Sequence, residues 1–255
     1  MQHTSIMILV QISDIHCGPQ FREKIFNDAV KEINRLEPDG IIITGDLTEE
    51  GLVSQYRKAQ ESLEKIEAKK IIICAGNHDY RSTGYYLFRH FFEPQQIVTM
   101  NDTLFTTLGT ARPERNDGEL GFRQIEWLKR TLNDSKEKRK IVAMHHHVLP
   151  VPDTGTDKIT IVDAGDLLRV LARSDVDLVL CGHRHRPWIW QIEGITVINA
   201  GTLSSERTRG FFVNSYNIID IKENEIRAHV KVVGGKKIKL KNVLKHEYLH
   251  LPPKH

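Results

Sequence analysis

Ile71-Ile72-Ile73-Cys74-Ala75-Gly76-Asn77-His78-Asp79 is the stretch whose reading decides the fold. Its β-branched run predicts a buried strand, which ends abruptly in one glycine and three side chains able to bind a metal or move a proton. Open α/β sheets carry their chemistry just past the carboxyl ends of their strands. Four other stretches repeat the pattern of an apolar run followed by Asp, His or Gly: Ile8–His16, Ile41–Asp46, Ile141–His147 and Val179–His185. The chain reads as organised to bring these five strand ends together.

Outward from that stretch, Ile6–Ser13 predicts a first strand and Arg22–Leu36 a helix with a stripe of Ile25, Phe26, Ala29, Val30, Ile33 and Leu36, stopped by Pro38. Ile41–Thr44 is a second strand, Leu52–Glu67 a second amphipathic helix and Ile71–Ala75 a third strand. This β-α-β-α-β run implies parallel strands joined by right-handed crossovers. Tyr80–Phe92 is an aromatic-rich helix that either packs in the core or walls a pocket through Tyr85, Tyr86, Phe88, Phe91 and Phe92. Strands follow at Ile97–Thr99, Thr103–Leu108, Lys140–Met144, Asp177–Cys181 and Ile195–Asn199, with helices at Phe122–Leu132 and Ala164–Ala172. Thr110–Leu120 and Pro150–Lys158 read as loops. After Gly210 the period changes to two, over Phe211–Ile221 and Glu225–Val233, which predicts an antiparallel hairpin.

A chain of 255 residues can bury one sizeable α/β core. No internal repeat and no linker marks a second domain. The net charge of +3 gives weak support for an anionic partner and argues against a dedicated nucleic-acid binder. No apolar run approaches the roughly 18 residues that cross a bilayer. The apolar N-terminus lacks a basic region before it, so cytoplasm is the expected address. Cys17, Cys74 and Cys181 have no C-x-x-C spacing and read as small buried thiols of a reducing compartment.

The polar residues form a set. Asp14-Ile15-His16 puts a carboxylate and an imidazole on one side of an extended chain. Gly45-Asp46 adds a second carboxylate beside a glycine that permits close backbone approach. Asn77 offers a neutral oxygen, and His183-Arg184-His185 sets two imidazoles two residues apart. A mixed Asp, His and Asn donor set suits Mn, Fe or Zn better than Ca. Two such ions about 3.5–4 Å apart need one bridging carboxylate and a rigid frame.

The order Asp14-x-His16, Gly45-Asp46, Gly76-Asn77-His78-Asp79, His145-His146, Gly182-His183-x-His185 resembles the calcineurin-like metallophosphoesterase superfamily. Gly45-Asp46-Leu47-Thr48, the His-rich block and the compact length are most similar to its class III cyclic-nucleotide phosphodiesterase-like branch. The resemblance covers Ile6 to the C-terminal hairpin. It implies a four-layer α/β/β/α sandwich with two mixed β-sheets over residues 1–235, leaving 236–255 as a basic C-terminal tail. It also implies two divalent metal ions: one held by Asp14, His16, Asp46 and His185, the other by Asp46, Asn77, His145 and His183. His78 then faces the leaving oxygen of the substrate, with Asp79 fixing its tautomer. The block His145-His146-His147-Val148-Leu149-Pro150 departs from the commoner His-His-Pro-Pro, so a register one residue away from His145 stays open.

The expected activity is that of a metal-dependent phosphodiesterase on a small phosphodiester, for which a 3',5'-cyclic nucleotide is one choice, by in-line attack of a metal-bridging hydroxide. A phosphomonoesterase or nuclease of the same fold is the alternative, and nucleic acid stays open as a substrate. A non-catalytic scaffold is expected to have lost ligand positions, and here every matched position is intact. Arg184 is expected to point to solvent, Arg207 and Arg209 to lie on the surface, and Asn199-Ala200-Gly201-Thr202 to contribute backbone at the rim. Metal identity, substrate and oligomeric state are not readable from the motifs.

Overall fold

The computed structural model describes residues 6–155, 160–209, 212–223 and 225–245. Two six-stranded sheets face each other. The first runs β12-β11-β10-β1-β2-β3, from β1 (Met7–Ile12), β2 (Gly40–Thr44), β3 (Ile71–Cys74), β10 (Ser215–Lys222), β11 (Glu225–Val232) and β12 (Lys237–Lys239). The second runs β4-β5-β6-β7-β9-β8, from β4 (Ile97–Met100), β5 (Thr103–Leu108), β6 (Arg139–Met144), β7 (Leu178–Cys181), β8 (Trp188–Ile192) and β9 (Ile195–Asn199). Strands β1, β2 and β3 are parallel, as are β5, β6, β7 and β9, whereas β10 to β12, β4 and β8 pair antiparallel. Both sheets are therefore mixed.

The two-residue period of a strand explains the layers. Ile41 and Ile43 point to one face, where Val10, Ile12 and Ile73 join Phe26, Ala29 and Ile33 of α1 (Glu23–Asn34), Tyr56 and Ala59 of α2 (Val53–Leu63) and Phe88 of α3 (Gly84–Phe91). Ile42 points the other way, into a core shared with Leu9, Ile72 and Ile219 and with Phe105, Ile141, Leu178, Leu180 and Ile198 of the second sheet. Val142, Met144, Val179 and Val197 then face α4 (Phe122–Asp134) and α5 (Ala164–Arg173) through Leu128, Leu132, Leu167 and Leu171. Strands buried on both faces read as unbroken apolar runs, which is why their sequences do not alternate. The result is the expected α/β/β/α sandwich.

Several boundaries move for local reasons. Helix α2 stops at Leu63 because Asn34 holds the next loop, donating to the carbonyl of Lys65 (3.0 Å) and accepting from the amide of Glu67 (3.0 Å). The aromatic segment is split: a 3-10 turn at His78–Tyr80 precedes α3, with Ser82 in the left-handed region between them. Phe88, Phe91 and Phe92 surround Tyr56, the ring of Phe91 stacked on it at 5.2 Å, so they pack the core, while Tyr86 is exposed. Strand β8 was missed because it is a half-exposed edge, closed onto β9 by a two-residue turn with Glu193 and Gly194 both at positive φ. Strand β10 begins at Ser215, four residues later than the alternation suggested.

The lysine-rich end is built into the sheet as far as it is described. Lys237–Lys239 pairs with β11, and Ile238 and Leu240 are buried against the inter-sheet core. The remainder of the predicted tail, 246–255, lies outside the described residues, as do 156–158 of the Pro150–Lys158 loop and Phe211. Cys17, Cys74 and Cys181 are free and buried. No helix among the described residues is long and apolar enough to cross a membrane.

The seam between the sheets sets the separation of the strand ends. Replacing Ile219, fully buried there, by Ala is expected to cost about 2–5 kcal/mol, read from the midpoint of urea unfolding at unchanged far-UV circular dichroism.

Candidate metal centre

The five strand ends meet at one end of the sandwich, where the loops after β1 and β2 run side by side. The amides of Asp14, His16 and Cys17 donate to the carbonyls of Gly45 (3.0 Å), Asp46 (2.9 Å) and Leu47 (2.8 Å). The second sheet joins through the amide of His183, which donates to Asp14 Oδ2 at 3.1 Å, and its own loops are tied together by the Gly182 amide, which donates to the carbonyl of His145 at 2.8 Å. Asp14, His16, Asp46, His183 and His185 all have left-handed backbone, with φ between 52° and 71°. Asp and His tolerate this region better than most residues.

Two glycines make the close approach possible. Gly45 has φ 87°, and a Cβ there would meet the amide nitrogen of Gly76 at 2.7 Å. A Cβ on Gly76 would lie 2.1 Å from Asp46 Oδ1. Asp46 is thereby held against the turn that follows β3, and its Oδ1 accepts from the amide of His78 at 2.8 Å.

The side chains expected as ligands form two groups that share Asp46. In the first, Asp14 Oδ1 is 3.1 Å from His185 Nε2, and His16 Nε2 is 3.0 Å from His185 Nε2 and 3.7 Å from Asp46 Oδ2. In the second, Asp46 Oδ2 is 3.2 Å from His145 Nε2, and Asn77 Oδ1 lies 3.1 Å from His145 Nε2 and 2.9 Å from His183 Nδ1. Every one of these residues except His183 is buried. All seven sequence-predicted positions are brought together.

The electrostatics follow from that crowding. Burial opposes ionisation of Asp46, but His145, His78 and His16 outweigh it and hold the carboxyl well below its usual range. Burial would likewise lower His145, yet Asp46 and Asp14 push it up to about 9. His16 is raised in the same sense: Glu49, Asp46 and Asp14 overcome its burial. His183, half-buried at the residue level but with its ring desolvated beside His146, His145 and His147, is pushed well down.

These donors fit divalent cations. Asp14 Oδ1 is buried and accepts no hydrogen bond. His145 Nδ1 donates to the carbonyl of Thr44 at 2.7 Å and His185 Nδ1 donates to that of Arg207, which leaves each Nε2 lone pair facing other acceptors. A divalent cation satisfies acceptors that converge in this way, and carboxylate, imidazole and amide oxygen are its usual donors. Asp14, His16 and His185 form one such group, and Asp14, Asp46 and His145 another, each with ligand atoms within 4.8 Å of one another.

The three consecutive histidines have different surroundings. His146 has both ring nitrogens engaged, Nε2 donating to the carbonyl of Asn116 (3.2 Å) and Nδ1 accepting from the Thr110 hydroxyl (2.8 Å). His147 is buried with no hydrogen-bond partner at either nitrogen, and burial together with Arg184 pushes its pKa down to about 3. Only His145 faces Asp46.

One expected pairing is corrected. His78 does not meet the Asp79 carboxylate; its Nδ1 donates to the carbonyl of Glu49 at 2.8 Å. The 3-10 turn sends neighbouring side chains apart, and Asp79 is consumed elsewhere: Oδ1 accepts from the amide (2.9 Å) and hydroxyl (3.0 Å) of Thr48, and Oδ2 from the amide of Gly76 (2.9 Å). Asp79 thus clips the loop after β2 to the loop after β3. Burial and the charge of Asp46 push its pKa up to about 6.

Other residues also differ from expectation. Arg184 does turn away from the cluster, but into the segment before Gly155, where it is buried and donates to the carbonyl of Thr154. Thr202 supports the loop from within, its hydroxyl donating to the carbonyl of Asp14 at 2.7 Å. Glu49 and Asn116 were not anticipated. Glu49 is buried against His16, and Asn116 Oδ1 accepts from Asn77 Nδ2 at 3.3 Å. Two acids ahead of a helix are ordinary helix-start composition, and Asn116 sits in a loop with no periodicity, so neither carried a signal. A cleft of about 730 Å³ lined by Arg139, Asp177, Trp190 and Lys239 among others lies at the opposite ends of the strands and contains none of these groups.

A family profile described as calcineurin-like phosphoesterase matches residues 7–187. The chain is 30% identical over 199 residues to a 3',5'-cyclic adenosine monophosphate phosphodiesterase of Escherichia coli K12, covering 70% of this chain and 69% of that one. It is 29% identical over 199 residues to a cAMP/cGMP dual specificity phosphodiesterase of Mycobacterium tuberculosis, covering 70% and 61%. Among solved structures, a dimetal phosphatase from Danio rerio superposes with a TM-score of 0.64 at 16% identity, over 92% of this chain and 98% of that one. A purple acid phosphatase from yellow lupin superposes at 0.71 and 14% identity, over 99% and 57%. At such identities the structural likeness speaks for the fold.

Gly76→Ala tests the close approach that shapes the centre. The new methyl group must displace Asp46, so the expected outcome is destabilisation of about 1–3 kcal/mol in urea unfolding, together with lost Mn²⁺ binding in calorimetry.

Proposed function

Because the chain belongs to the calcineurin-like phosphoesterases and is a metal-dependent phosphoesterase, we propose that it is a two-metal phosphodiesterase acting on a small phosphodiester, with 3',5'-cyclic nucleotides as the first substrate class. The observation that carries the reading is the place of Asp46. Its Oδ2 lies between His16 Nε2 (3.7 Å) and His145 Nε2 (3.2 Å), so one carboxylate is common to two donor groups. In this proposal Asp14, His16, Asp46 and His185 hold one ion, and Asp46, Asn77, His145 and His183 hold the other. Bound there, two divalent ions of the Mn, Fe or Zn type would supply Lewis acidity and water activation.

The protein's own groups account for the remainder. His78 commits Nδ1 to the Glu49 carbonyl, which leaves Nε2 as the atom that exchanges a proton with the leaving oxygen. Its pKa is lowered, burial being the main cause, which favours the neutral ring with the Nε2 lone pair free. Asp79 acts through structure, holding the turn that presents Asn77 and His78. Arg81 lies beside them, partly exposed, donating to the Glu49 carbonyl (3.3 Å) and to Asn116 Oδ1 (3.4 Å) and paired with Glu50 Oε1 at 3.0 Å. The cyclic-nucleotide substrate class is supported by the activities named for the relatives of E. coli and M. tuberculosis.

With added Mn²⁺ the protein is expected to hydrolyse bis-p-nitrophenyl phosphate and cyclic AMP, and Asp46→Asn to reduce both to background. His78→Ala is expected to lower kcat by about 10²–10⁴-fold with metal content unchanged. Wild-type turnover in Asp46→Asn would remove the proposal, and turnover of p-nitrophenyl phosphate alone would replace the diester by a monoester. A second series separates the histidines. His145→Ala is expected to lose one metal equivalent by elemental analysis, whereas His146→Ala and His147→Ala keep both; full occupancy in His145→Ala would move the ligand to a neighbour.

A further inference from the structure

Glu49 is the buried ionisable group nearest the centre that the proposed function leaves without a role. It is 4% exposed, and a buried carboxylate is costly unless paired. Its Oε2 lies 2.9 Å from His16 Nδ1, and its Oε1 lies 2.9 Å from Arg207 Nη2, both within ion-pair distance. Burial opposes its ionisation, but His16, His78 and Arg207 outweigh that and keep the pKa lowered. The carboxylate is placed by the backbone on both sides. Cys17, next to His16, forms a bridge with Thr48, and the Glu49 amide donates to the Cys17 carbonyl at 3.2 Å. Gly18 leaves the space, since a Cβ there would lie 2.7 Å from Glu49 Cβ.

The contacts close into a ring. Glu49 Oε2 sits beside Nδ1 of His16; His16 Nε2 faces His185 Nε2 at 3.0 Å; His185 Nδ1 donates to the carbonyl of Arg207; and the Arg207 guanidinium returns to Glu49. His185 thus has its Nδ1 proton tied outward, His16 has its Nδ1 beside the Glu49 carboxylate, and both Nε2 atoms turn inward. A carboxylate behind a ligating histidine fixes the tautomer and raises the basicity of the ring. The second group has no such carboxylate: His145 is backed by a neutral carbonyl.

We propose that Glu49, with Arg207 as its counter-ion, is a positioning residue that sets the affinity of the first metal group alone. The inference rests on the two-metal reading above, and it concerns metal binding rather than turnover. The test is calorimetric titration of the metal-free protein with Mn²⁺. Glu49→Ala is expected to weaken one of two binding events by about 10–100-fold and leave the other unchanged. Glu49→Gln, which keeps an acceptor for His16 Nδ1 but not the charge, should fall between it and wild type. Asn77→Ala should weaken the other event, which assigns the two. Nitrogen-15 shifts of His16 are expected to show the Nδ1-protonated tautomer in wild type and a mixture in Glu49→Ala. A melting temperature within a few degrees of wild type for metal-free Glu49→Gln shows that its affinity change is not a folding defect. Two wild-type affinities in both Glu49 variants, with binding lost in Asp46→Asn, would overturn the role of Glu49 and leave the two-metal reading standing. Fewer than two Mn²⁺ on wild type, or unchanged binding in Asp46→Asn, would overturn both.

Discussion

The structure depends on one carboxylate being reached from two sheets. Asp46 follows β2 in the first sheet, His145 follows β6 in the second, and their side chains meet at 3.2 Å. Facing sheets pack about 10 Å apart, so strand-end side chains from both can converge only at the mouth of the seam. The core between the sheets, with Leu9, Ile42, Ile141 and Leu180, is therefore more than a source of stability: it is the ruler that sets the distance between the two halves of the centre. A site divided between two rigid sheets is more tightly held than one built on a single loop.

Convergence on that point is bought with backbone conformation. Five of the seven donors sit at positive φ, each costing on the order of 1–3 kcal/mol unless its surroundings demand it. The surroundings are the loop-to-loop hydrogen bonds, in which the amides of Asp14, His16 and Cys17 are satisfied by the loop after β2. Asp79 adds a second tie, joining Thr48 to Gly76. The same clip explains why Asn77 and His78 face the centre while Asp79 faces away, although all three are adjacent in sequence. Adjacent residues divide the labour because a tight turn cannot point three side chains at one target.

Much of this was legible in the chain. Apolar runs long enough for a strand and too short for a helix located β1, β2, β3, β6 and β7, and the polar residue after each run pointed to the mouth of the seam. What could not be read were contacts whose two partners carry no mutual signal. Glu49 pairs with His16 and Arg207, the latter 158 residues further on, and nothing in either neighbourhood marks the pair. Arg184 was expected in solvent because alternation states only which way a side chain leaves the strand. Its burial depends on a loop that crosses it, contributed by Thr154. Edge strands were the other blind spot. In β12, alternation of exposed Lys237, buried Ile238 and exposed Lys239 was hidden within a generally basic segment.

The two donor groups are alike in geometry but unequal in charge, and the inequality has a physical consequence. Around the shared Asp46, the first group adds the carboxylate of Asp14 and has that of Glu49 behind it, whereas the second adds a neutral amide and two imidazoles. Inside a buried centre, where charges are poorly screened, each additional carboxylate strengthens attraction for a divalent cation. In the proposed reading the first group is accordingly the tighter and more permanent site, and the second the weaker one, held by softer neutral donors. The two polar residues of the turn after β3 divide between the groups: the His78 ring packs edge-on against His16 of the first at 4.6 Å, whereas Asn77 Oδ1 faces His145 and His183 of the second.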